Sequence, residues 1–181
     1  MKNWTRILVA FLLARSGAAL AADDFEALTN RIVLLRCHMG GCGWYRIDES
    51  KLVGRSDKGA LYELAVKFWN SKDTGKTTPP KKLENEESDT QFVFCSKVKP
   101  ALIWKDEGKW VASPLEPGNE AAMAGATESA YAMYWAACHR AAVADVYSGG
   151  TRLARKLGYE FSGNAIPQDA PLSAPADVLK W

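Results

Sequence analysis

Four cysteines, at positions 37, 42, 95 and 138, constrain the fold of this 181-residue chain more than any other feature. What they do depends on compartment, and the start of the chain points to one. Lys2 and Arg6 precede an apolar run from Ile7 to Ala14, and Ala19-Leu20-Ala21 offers the small residues a signal peptidase accepts. Residues 1–21 therefore read as a signal peptide. An eight-residue apolar run is far short of the roughly 20 residues a membrane-crossing helix needs. The expectation is a periplasmic or secreted protein with no membrane insertion after cleavage. Cysteines in such a compartment pair, and four of them make two disulfides in one of about three connectivities.

Cys37–Cys42 and Cys95–Cys138 are the expected pairs. The first flanks a tight loop, Cys-His-Met-Gly-Gly-Cys, whose glycines supply positive φ without steric cost. The second ties a segment of strand character, Gln91–Lys97, to an alanine-rich segment of helical spacing. In architecture alone, the six residues from Cys37 to Cys42 resemble the short disulfide-closed loop displayed by some small exported inhibitors of cell-wall hydrolases. No functional residue is carried over from that likeness.

Cleavage of the signal also changes the charge. It removes Lys2, Arg6 and Arg15 and no acid, so the formal net charge of +2 becomes −1 for residues 22–181. A nucleic-acid binder needs a basic surplus to displace counterions, and this chain lacks one. A chain of that length suits one domain and buries roughly 70% of its unfolded surface.

Read in order, Arg31–Arg36 is a short β-branched apolar run, and Ala60–Trp69 places Tyr62, Leu64, Val66 and Phe68 on one face with a period of two. Ser56-Asp57-Lys58-Gly59 is a turn signal between Trp44–Arg55 and that strand. Residues 70–89 are almost devoid of apolar side chains and read as a mobile polar loop. Strands resume over 91–97, 101–105 and 110–112. Alanine is abundant from Glu120 to Val146, with Tyr131, Tyr134, Trp135 and Cys138 at helical spacing, which predicts one long helix, broken at Ser148-Gly-Gly and followed by another over Thr151–Leu157. Residues 165–181 read as an extended Pro/Ala-rich tail. The expected architecture is α+β: an antiparallel meandering sheet of about five strands packed by one Ala-rich helix, as a single domain over 22–164.

Chemistry is sparse. Asp73-Thr-Gly-Lys-Thr77 lacks the first glycine of a phosphate-binding loop, because Asn70 stands there. No nucleophile elbow, zinc-protease motif or framed acid pair occurs, so no catalytic residue and no cofactor is assigned. Two function classes remain. One is a binding protein, an inhibitor or accessory subunit for another envelope protein, using the Cys37–Cys42 loop with His38, Met39, Trp44 and Tyr45. The other is a copper- or zinc-binding or redox protein using Cys37, His38, Met39 and Cys42, whose sulfur and imidazole groups are soft or borderline ligands.

Overall fold

The computed structural model describes residues 25–123, 125–143, 145–146, 148–160 and 168–181; the signal peptide expected at 1–21 lies outside them. Among the described residues, seven strands form one antiparallel sheet in strict sequence order. They are β1 (Val33–His38), β2 (Gly41–Ser56), β3 (Gly59–Lys72), β4 (Glu84–Ser96), β5 (Ala101–Asp106), β6 (Lys109–Pro114) and β7 (Ala170–Leu172). The meander is as expected, but the molecule is dominated by its sheet rather than by one long helix on about five strands. β3 runs on to Lys72 and β4 begins at Glu84, so nearly half of the polar stretch 70–89 lies in strands. Residues 84–90 of β4 are exposed, and polar side chains on both faces of a strand carry no period for the sequence to show.

The alanine-rich region carries a shorter helix than expected. A 3₁₀ turn, Gly125–Thr127, leads into α1 (Glu128–His139), and a separate α2 (Ser148–Lys156) follows. α1 stops because Arg140 adopts φ 49°, which turns its N–H and that of Ala141 back onto the Trp135 carbonyl. That is a left-handed C-terminal cap. The Ala136 carbonyl is left to accept the Leu28 N–H at 2.7 Å. α1 is thus buried all round, from Tyr131 to Cys138, rather than along one stripe.

The two faces of the sheet are covered by different parts of the chain. On one, Tyr45, Ile47, Leu64, Val66, Val93 and Cys95 pack with α1, and Cys95–Cys138 joins sheet to helix there. Close to that bridge, the Tyr134 hydroxyl donates to the Ser96 carbonyl at 2.9 Å. It also lies 2.7 Å from the Tyr159 hydroxyl, which in turn lies 2.5 Å from His139 Nε2.

On the opposite face, Leu61, Phe94, Ile103 and Ala112 meet the buried Val178, with Leu179 and Trp181 beside it. The C-terminal segment therefore does not trail over the surface. It adds β7 to β6 and then closes this face with a 3₁₀ helix, Pro175–Lys180. Asp177 fixes that helix by accepting the Ala174 N–H at 2.9 Å and Lys180 Nζ at 2.8 Å. These bonds hold its carboxyl below the usual aspartate range.

Candidate functional site

β1 and β2 are joined by two residues, Met39 and Gly40, at φ 51° and 78°. Positive φ at both central positions is the turn whose twist matches the flanking strands. The cysteines occupy the next cross-strand pair but one, Cys37 opposite Cys42, and are bonded to each other. The Asp73 N–H donates to the Gly40 carbonyl at 2.8 Å, so the end of β3 braces the tip as well. Beside it, Arg36, His38, Gly41, Gly43, Asn70 and Ser71 line a shallow recess of ≈ 340 Å³.

The expected binding residues separate at this site. His38 is exposed, and Met39 is 92% exposed. Trp44 and Tyr45 are 1% and 0% exposed, so neither can anchor a partner at the surface. Neighbours on a strand point to opposite faces, and here both faces are covered. The Tyr45 hydroxyl donates to the Ala132 carbonyl of α1 at 3.0 Å, and burial pushes its pKa well up. Trp44 lies on the other face against Trp69 and donates from Nε1 to Ser71 Oγ at 2.9 Å. Both rings position the hairpin from below.

No cysteine is free among the described residues. Cys37, Cys42 and Asp73 bring their ligand atoms within 4.8 Å of one another, but sulfurs joined in a disulfide offer no thiolate. His139 is remote from this set: it packs among Phe25, Tyr134, Trp135 and Tyr159.

Sequence reasoning missed a second cluster on the face that carries Trp44. Arg46 lies over the Trp69 ring, 5.4 Å from its centre, and pairs with Asp48. Glu86 accepts from Lys67 Nζ at 2.7 Å and from Trp69 Nε1 at 3.0 Å. Those two donors hold the Glu86 carboxyl below the usual glutamate range. Lys67 and Trp69 share a strand face by simple alternation, which was a usable signal. Glu86 was hidden because its segment read as loop.

Comparison with family models, curated proteins and solved structures finds no match to this chain. No helix among the described residues is long and apolar enough to cross a membrane. That and the two disulfides are consistent with an extracellular or periplasmic protein.

Proposed function

We propose that this is an exported binding protein, an inhibitor or accessory subunit for another envelope protein, that recognises its partner through His38 and Met39 at the β1–β2 tip. One observation carries the reading: Met39 is 92% exposed and sits at φ 51°. A long apolar side chain gains no packing there, and a left-handed backbone disfavours any residue with a Cβ. Neither core nor turn asks for methionine, whereas a flexible, polarizable side chain suits a binding surface. The bridge and the type of turn fix the tip before contact, which reduces the conformational entropy lost on binding. The test is capture from an envelope extract with the mature protein and with a folded His38→Ala/Met39→Ala variant. Loss of the same partners from the variant alone supports the reading, and equal retention discards it.

A second reading is favoured by the proximity of Cys37, Cys42 and Asp73. If the thiols are reduced in the exported protein, these three make a partial set for zinc or copper. A thiol count separates the two: zero free thiols supports the first, and two with bound metal supports the second.

A further inference from the structure

The outer edge of β4 between Glu84 and Gln91 has no neighbouring strand among the described residues. β5 pairs with β4 only through Phe92, Val93 and Phe94 and then leaves it, while β3 continues alongside as far as Glu84. Successive residues of an antiparallel strand turn their backbone groups to opposite sides. Counting from the two-residue turn between Ser56 and Gly59, Phe94 and Phe92 turn theirs toward β5, so Thr90 and Ser88 direct theirs into open space, short of the bulge at Asn85 and Glu86. The Thr90 N–H accordingly donates to its neighbour Asp89 Oδ1 at 2.7 Å, not to a strand.

The side chains along this edge differ between the two faces. On the α1 face stand Glu87 and Asp89, neither in an ion pair with a described residue. On the other, a groove of ≈ 490 Å³ opens where β5 departs, with Ala65, Ser88 and Thr90 among its small lining residues and Lys67, Lys105 and Trp110 around them. Lys105 Nζ lies 4.8 Å from the Trp110 ring centre.

We propose that this edge takes an extended basic segment of a partner protein as an added strand. Its main chain pairs with Ser88 and Thr90, in the manner of strand addition to an open sheet. Lysine or arginine at alternate positions meets Glu87 and Asp89 as same-face neighbours, and the intervening residues lie in the groove beside Trp110. Charge decides the occupant. A second copy of this chain paired through the same edge would set Glu87 and Asp89 against each other, and like charges directly opposite are destabilising. The proposal does not depend on the β1–β2 tip.

The test uses the mature chain and the acetylated, amidated peptide Lys-Thr-Lys-Thr-Lys-Thr-Lys as probe, with binding read by calorimetry. The expected result is saturable binding that weakens about tenfold or more in Glu87→Gln/Asp89→Asn, since each side chain then loses its charge partner. Ser88→Pro removes one outward N–H, a change an edge strand tolerates, and should weaken binding about tenfold or more while the circular dichroism spectrum is unchanged. Should that variant not fold, the same peptide N-methylated at its threonines supplies the check on wild-type protein, where the loss must appear instead. Binding that ignores both backbone changes is general charge attraction and overturns the proposal. So does absence of binding at about 1 mM peptide, or a concentration-dependent dimer that Ser88→Pro abolishes.

Discussion

The β1–β2 and β5–β6 hairpins turn in the same way and are built for different ends. Met39 and Gly40 have φ of 51° and 78°; Glu107 and Gly108 have 46° and 81°. In each, glycine fills the second position, where it adopts positive φ at no steric cost. The first position shows the difference. The β5–β6 tip carries an exposed glutamate and no bridge, while the β1–β2 tip carries an exposed methionine, a disulfide two residues away and a backbone brace from Asp73. Since the turn forms without those extras, they serve something other than turning the chain.

The largest effect should come from the bridge that neither tip contains. Replacing Cys95 and Cys138 by alanine frees the longer loop in the unfolded chain and should cost about 4 kcal/mol on the loop-entropy account. The same change at Cys37 and Cys42 should cost about 2 kcal/mol. Urea denaturation gives both values; if they are equal or reversed, the first bridge is a structural staple and its contrast with the unbridged tip loses meaning. Next come the glycines: Gly40→Ala and Gly108→Ala should each destabilise by about 1 kcal/mol, because alanine resists positive φ. A cost confined to Gly40 would show that the two turns are not equivalent. The smallest effect, and the sharpest contrast, belongs to the first turn positions. Met39→Asn and Glu107→Asn should each stabilise by about a few tenths of a kcal/mol, asparagine being at ease in left-handed backbone. Partner capture should fall only with Met39→Asn; equal capture by the two variants would remove the functional distinction.

Much of this architecture was legible, and the failures have identifiable causes. Both disulfide pairs followed from a glycine-bearing loop and from a helix stripe facing a strand. Alanine content could not reveal where α1 ends, because a left-handed Arg140 leaves no mark in composition. The C-terminal segment looked extended since its prolines and serines mask Val178, Leu179 and Trp181, whose spacing is too short for a period. The exposure of His38 and Met39 was legible from the loop itself. The burial of Trp44 and Tyr45 was not, because alternation tells which side each takes but not that both sides are roofed.

The contacts joining His139, Tyr159 and Tyr134 to the Ser96 carbonyl carry a direction. A carbonyl has no proton to give, so the Tyr134 hydroxyl hydrogen points to Ser96. Tyr134 oxygen then receives its hydrogen from Tyr159, and Tyr159 oxygen receives one from His139 Nε2. One acceptor at the far end thereby selects the tautomer of an imidazole three groups away.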